Sequence, residues 1–199
     1  ILGPVVGILG NRFSKKWMIS GGMILAGIGF ILLINNLTVN MGFGQLWLTM
    51  VFIGIANGIV NPVLNSAGLE GVAPHEMGMA SGLLNVFRQF GTSFGVVMLG
   101  LTETTRYEAY LNKHMSSVDG PSNAISGIHK ALVEVGPFSG HSVAFSEKLN
   151  HLPFISDLQT VVVKAFDHGM AGVSIMAAVI VLIGAVGAAV LMRDGHSEG

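Results

Sequence analysis

Charged residues are nearly absent from two long stretches of this chain. Residues 17–101 contain only Glu70, Glu76 and Arg88, and residues 168–192 contain none. Eleven of the 21 charges lie instead in residues 102–166. About a quarter of the residues in a soluble domain are charged, so the two stretches are far too apolar for one. The pattern predicts an all-α fold, a polytopic membrane helix bundle with one large polar segment.

The net charge, the absence of cysteine and the spacing of the histidines exclude several classes of function. A net charge of −1 at pH 7 excludes a strongly basic nucleic-acid-binding protein. The chain has no cysteine, so it has no disulfide framework and no thiolate metal site. Four of the seven histidines lie in the polar segment, but no two of them are four residues apart, as two ligands on one helix would be. We therefore predict no metal site and no cofactor.

Four stretches are long enough to cross the hydrocarbon layer, which takes about 20 residues at 1.5 Å each. They are residues 17–35, 43–67, 78–102 and 168–192. Residues 1–10 are too short to span alone. Because the chain opens without Met, we interpret them as the end of an earlier helix in a longer protein, of which this is a C-terminal fragment.

These spans divide the chain into four parts. Residues 1–101 hold the end of one transmembrane helix, a cytoplasmic loop and three transmembrane helices. Residues 102–167 form a long extracytoplasmic loop, 168–192 the final transmembrane helix and 193–199 a cytoplasmic tail. The orientation follows from Arg12, Lys15, Lys16 and Arg193, because short loops rich in Lys and Arg stay in the cytoplasm. We expect a multi-pass protein of the cell membrane with a cytoplasmic C-terminus.

Polar side chains form stripes on the second and third predicted spans. Asn57, Asn61 and Asn65 recur every four residues, so they share one helix face. On the third span a similar stripe is formed by Ser81, Asn85, Gln89 and Thr92. Arg88 lies beside this stripe near the middle of the span, at the predicted depth of Asn57. A charge at that depth is costly in lipid, so Arg88 should face protein or a water-filled cavity.

We interpret the two stripes as a substrate pathway lined by Asn57, Asn61, Asn85, Arg88 and Gln89. The alternative is that the amides are hydrogen-bonding contacts between helices, without a role in transport.

Two further features concern helix shape and packing. Pro62, one turn after Gly58, removes a backbone hydrogen bond and should kink the second span. The other reading of this kink is packing without function. Three pairs of glycines spaced four residues apart should pack against neighbouring helices of the same chain, and the alternative is that they form dimer faces; they are Gly54/Gly58, Gly78/Gly82 and Gly91/Gly95.

Catalytic groups are missing from the sequence. No Ser/His/Asp constellation, paired carboxylates or phosphate-binding loop can be recognised, so we predict that the chain is not an enzyme. No Asp or Glu falls within a predicted span. If the protein couples to protons, the coupling group lies upstream of this chain or in a residue that the sequence does not identify.

The segment Gly7 to Lys16 resembles a family motif. Its sequence, GILGNRFSKK, is similar to the G-x-x-x-D-R-x-G-R-[RK] loop of the major facilitator superfamily, with Asn11 in place of the aspartate and Ser14 in place of the second glycine. The resemblance implies a gate loop formed by Gly7, Asn11, Arg12, Lys15 and Lys16. A neutral Asn11 would weaken any salt bridge that the family aspartate makes during gating.

Residues 54–100 are similar to the late helices of the fourteen-helix drug:proton antiporter branch, the EmrB/QacA-like exporters, which also carry a long external loop before the final helix. The resemblance implies part of the C-terminal half of a facilitator fold. It also implies efflux of a small amphipathic substrate by alternating access, with the proton as coupling ion. The expected partners are membrane lipid and the missing N-terminal portion of the transporter.

Two alternatives remain open. The chain could be a small membrane subunit for assembly or interaction, or a facilitator of another branch that carries a metabolite or siderophore.

Overall fold

The computed structural model describes residues 13–36, 43–147, 149 and 151–192. Every regular element in these residues is helical. In chain order they are α1 (Lys15–Asn36), α2 (Phe43–Gly68), α3 (Met77–His114), a 3-10 turn (Met115–Ser117), α4 (Ser122–Ala144) and α5 (Ile155–Leu191). The prediction of an all-α fold is confirmed.

Three of the described helices are long and apolar enough to cross a membrane, judged by length and composition. The segments are Lys15–Ile34, Leu46–Gly68 and Ile155–Leu191. They contain most of the first and second predicted spans and nearly all of the fourth. α3 is longer than a span needs to be, but Asn85, Arg88 and Gln89 lower its apolar content. The third span therefore stays a prediction from the sequence.

The predicted boundaries of the polar segment differ from the structure. α3 continues past Thr102 to His114, and α5 already begins at Ile155, so most of residues 102–167 is helical where a loop was expected. The sequence reading ended each helix where the apolar run ended. Backbone hydrogen bonding does not require an apolar sequence, and both helices continue as amphipathic ones.

The described residues form two compact units. The first unit comprises residues 13–36, 43–96 and 175–192, and the second comprises Val97–Ser174.

Close packing in the first unit occurs at glycines of α1. A Cβ on Gly22 would lie 2.6 Å from Val60 Cγ2, and one on Gly29 would lie 2.9 Å from Ile53 Cγ1. On another side, a Cβ on Gly27 would lie 3.1 Å from Leu182 Cδ2. α1 therefore approaches both α2 and the last part of α5 closely.

The glycine pairs named from the sequence do not make these approaches. A Cβ on Gly54, Gly78, Gly82, Gly91 or Gly95 would meet no atom of the described residues within 4 Å. The prediction that the pairs pack within the chain is wrong at these five positions. In a chain with 28 glycines, the spacing alone does not distinguish a packed glycine from an open one.

The second unit has a larger core. It is built on side chains that are almost completely buried: Tyr107, Leu111, Met115, Val118, Leu132, Ala144, Phe154, Leu158, Val162 and Ala165. These residues come from α3, α4, α5 and their connections. Tyr107 and Leu111 of α3, together with Met115 at the start of the 3-10 turn, follow the four-residue spacing of one helix face.

Candidate functional site

Two of the predicted pathway amides contact each other along α2. Asn61 Nδ2 donates a hydrogen bond to Asn57 Oδ1 at 2.8 Å and also approaches the backbone oxygen of Asn57 at 3.2 Å. Both side chains are exposed. α2 is continuous through Pro62, so the one-turn spacing of the two amides is maintained by a regular helix.

Arg88 joins α3 to α2. Its Nη2 donates to Asn65 Oδ1 at 2.7 Å, a bond that links side chains 23 residues apart in the sequence. The backbone oxygen of Arg88 accepts a hydrogen bond from Thr92 Oγ1 at 2.9 Å. Asn65 thus belongs to the polar site, although the sequence reading placed it in the stripe and left it out of the predicted pathway.

The hydrogen bond of Arg88 does not go to the amide at its expected depth. Counting residues from the helix ends placed Arg88 level with Asn57, whereas Arg88 bonds to Asn65, two helical turns away. Such counting assumes parallel helices and short side chains. An arginine side chain reaches across more than one turn, so its position in the sequence does not identify its partner.

Asn85 and Gln89 lie on α3 three residues before and one residue after Arg88, and both side chains are exposed. Positions three and four residues apart share a helix face, so the structure keeps Asn85 and Gln89 together with Arg88 on one element. Within the described residues, neither side chain forms a hydrogen bond to the amides of α2.

The predicted gate loop lies only partly in the described residues. Gly7, Asn11 and Arg12 fall outside them. Lys15 Nζ forms an ion pair with Glu70 Oε1 at 3.1 Å, which connects the first turn of α1 to the segment after α2.

The sequence reading treated Glu70 as a solvated loop charge. The signal that could have identified its role is the predicted topology, because the start of the first span and the end of the second lie on the same side of a membrane. Lys16, the next residue of the motif, has its Nζ 5.7 Å from the centroid of the Trp17 ring.

A second polar group is buried in the second unit. Glu103 and Tyr107 are 5% and 0% exposed, and within the described residues neither Glu103 Oε1 nor the Tyr107 hydroxyl has a hydrogen-bond partner. Burial raises the pKa of the Glu103 carboxyl above 4.5, and it raises the pKa of Tyr107 to about 12. The sequence reading missed Glu103 because it lies one residue beyond the predicted third span.

Metal ligands do not assemble in the part of the chain that the structure describes. No three His, Asp or Glu side chains there come close enough to hold an ion.

Comparison with known proteins identifies the family of the chain. The sequence profile of the Major Facilitator Superfamily matches residues 1–101, about half of the chain. The chain belongs to this superfamily. Its members are transporters, and the prediction that the chain is not an enzyme is confirmed. The matched region of this facilitator chain contains Lys15, the three asparagines of α2 and Arg88.

This facilitator chain is similar to proteins named as a multidrug transporter and as antibiotic resistance proteins. It is 28% identical over 129 residues to the multidrug transporter protein MdtP of Bacillus subtilis (62% of the chain, 23% of MdtP). It is 29% identical over 119 residues to the puromycin resistance protein pur8 of Streptomyces alboniger (58% of the chain, 23% of pur8). It is 27% identical over 93 residues to the methylenomycin A resistance protein of Streptomyces coelicolor (45% of the chain, 19% of that protein).

The chain therefore spans about a fifth to a quarter of the length of these relatives. No solved structure gives a significant match.

Proposed function

We propose that the chain is part of the C-terminal half of a facilitator that exports small amphipathic molecules by alternating access. The rest of the transporter supplies the remaining helices around the substrate, because a facilitator site lies between two repeats. We also propose that the protein is inserted in the cell membrane with several spans, and that the loop before α1 and the C-terminus lie in the cytoplasm.

The observation that carries this proposal is the polar contact between α2 and α3. In membrane helices, exposed polar side chains are costly on a lipid-facing surface, and they mark pathways or contacts with other helices. Arg88 and Asn65 are both exposed in the described residues, and so are Asn57 and Asn61. Such a face suits contact with a substrate, with water or with the rest of the transporter.

Named relatives support the choice of substrate class. Three proteins with similar sequences carry names that refer to multiple drugs, puromycin and methylenomycin A. Small amphipathic molecules are therefore the class that we propose for this transporter. Membership in the fourteen-helix branch, with proton antiport, belongs to the same proposal.

The proposed proton antiport requires a titratable group. Asp157 and Asp167 lie within the long apolar helix Ile155–Leu191, because α5 begins earlier than the sequence reading placed it. These two carboxylates and Glu103 are candidates that the sequence reading did not identify, beside any group upstream. Export driven by an imposed pH gradient in proteoliposomes tests the coupling, and export that ignores the gradient would exclude protons as the coupling ion.

The pathway is tested with Arg88→Ala and Asn57→Ala in the full-length transporter. We expect drug efflux from cells to fall at least about tenfold for Arg88→Ala, which removes a charged hydrogen-bond donor, and less for Asn57→Ala. Asn123→Ala, an exposed amide at the start of α4, is the matched control and should leave efflux unchanged. Membrane expression of each variant is measured in parallel. Unchanged efflux from both pathway variants would contradict the assignment.

A further inference from the structure

Arg88 is an isolated charge among the described helices of the first unit. The helical parts of the first unit are α1, α2, residues 77–96 of α3 and residues 175–191 of α5. Apart from Lys15 and Lys16 in the first turn of α1, Arg88 is the only charged residue in these segments. Lys15 has its counter-charge in Glu70. The middle of the unit therefore carries one positive charge and no negative one.

The partner that Arg88 has is neutral. Its Nη2 bonds to the amide oxygen of Asn65, and no carboxylate of the described residues lies within ion-pair distance of the guanidinium. A guanidinium has five N–H donors, so the bond to Asn65 leaves four of them without a partner in the described part of the chain. The side chain is exposed, so these donors are accessible.

The contact to Asn65 also orients the group. A planar guanidinium held at one nitrogen presents its other donors in a fixed fork, which matches the two oxygens of a carboxylate. Asn85 on α3 and Asn61 on α2 each lie one turn from a member of this contact, and their uncharged amides can also donate hydrogen bonds. In a site of low polarity a guanidinium–carboxylate pair is stronger than in water, and a cation beside Arg88 would be repelled.

We propose that Arg88 is an anion-binding residue that selects substrates carrying a carboxylate or a similar oxyanion on an apolar body. This inference rests on the proposed export function and names the substrate class of the same site. Asn65 acts as a positioning residue, which holds the guanidinium through its amide oxygen. The apolar body is that of the small amphipathic substrates proposed above.

Three matched probes test the selection. A dansyl-labelled fatty acid, its methyl ester and the primary amine of equal chain length differ in charge and little in shape. Full-length transporter in proteoliposomes is assayed for export of each probe, and the purified protein in detergent is titrated with each by dansyl fluorescence. We expect the wild type to bind and export the acid more strongly than the ester, and the amine most weakly.

The variants separate charge from structure. Arg88→Gln should weaken binding and export of the acid at least about tenfold and leave the ester within about twofold. Arg88→Lys, which keeps the charge but loses the planar fork, should retain an intermediate preference for the acid. Asn65→Ala should weaken binding of the acid by a smaller factor than Arg88→Gln. Lys113→Gln removes an equal charge from the same helix in the second unit and should change nothing.

Each possible outcome decides the matter. Equal loss of all three probes in Arg88→Gln, with normal size-exclusion behaviour, would overturn the proposal and would indicate that Arg88 pairs with a carboxylate elsewhere in the transporter. Export of all three probes by the wild type without preference for the acid would overturn the anion selection and leave the export function intact. Export of none by a well-folded wild type would overturn both.

Discussion

At the scale of single residues, the contact between Tyr107 and Gly140 governs the packing of α3 on α4. The tyrosine is completely buried, and its hydroxyl lies directly over the Cα of Gly140. A Cβ at position 140 would collide with this hydroxyl and would lie 3.2 Å from Tyr107 Cζ. Gly140 therefore provides the space that an aromatic ring with a polar tip needs.

We expect Gly140→Ala to destabilise the chain by about 1–3 kcal/mol, because overpacking forces the core apart. Tyr107→Phe removes a buried hydroxyl that has no partner and should be neutral or stabilising by about 1 kcal/mol. The double variant should lose less than Gly140→Ala alone, since the colliding atom is gone. Thermal unfolding in detergent micelles measures all three, and strictly additive effects would show that the contact is not the cause.

Glu103 makes the stability of the second unit depend on pH. Burial raises the pKa of this carboxyl, so the folded chain holds the proton more tightly than the unfolded chain. Stability is therefore highest below the unfolded pKa, near 4.5, and falls as the pH rises towards the folded pKa. Above the folded pKa, this contribution no longer changes.

Glu103→Gln keeps a neutral side chain of the same shape at every pH. The melting temperature of the wild type, relative to that of the variant, should therefore fall as the pH rises above 4.5. Both proteins are melted in the same detergent at a series of pH values, so the other titrating groups cancel in the difference. A constant difference across the series would contradict the prediction.

At the scale of the helix, α4 contains a break in its middle. Gly136 has φ 76° and ψ 180°, a conformation that is essentially restricted to glycine, and Pro137 follows it. The helix is therefore kinked at this point, and both halves still contribute to the core through Leu132 and Ala144.

Gly136→Ala should cost about 1–3 kcal/mol, because it forces an L-residue into this conformation. Gly127→Ala in the same helix is the matched control. Position 127 has a regular conformation and open space around it, so alanine should be neutral or stabilise the helix by up to about 1 kcal/mol. Chemical denaturation in mixed micelles compares the two, and equal effects would show that the backbone conformation at 136 is not the cause.

The sequence predicted the ends of α1 and α2 well, but it misplaced the end of α3 and the start of α5. The first two apolar runs were placed to within about two residues of α1 and α2, because apolar length and helix length coincide there. α3 and α5 extend well into the polar segment, where hydropathy carries no information about the helix end.

The polar site was predicted in part. The four-residue spacing of Asn57 and Asn61 identified a contact that exists, because both groups lie on one helix. The bond from Arg88 to Asn65 depends on how two helices cross and on the reach of a flexible side chain, and neither is encoded in a local pattern.

At the scale of the whole molecule, the proposed topology assigns sides of the membrane to loops. The segment after α2 should face the cytoplasm, and the turn around Asp119 should face outward. The chain contains no cysteine, so Glu76→Cys and Asp119→Cys introduce unique thiols into it. A membrane-impermeant maleimide should label Asp119→Cys in intact cells and should label Glu76→Cys only after permeabilisation. Labelling of Glu76→Cys in intact cells would reverse the orientation.

The ion pair between Lys15 and Glu70 is weak enough to open and close thermally. Both side chains are partly exposed, at 35% and 59%, and pairs of this kind contribute about 0–1 kcal/mol. At about 0.5 kcal/mol, thermal motion separates the two groups for roughly a third of the time. The pair is therefore weak, and the first turn of α1 and the segment after α2 can separate at this point without a large barrier.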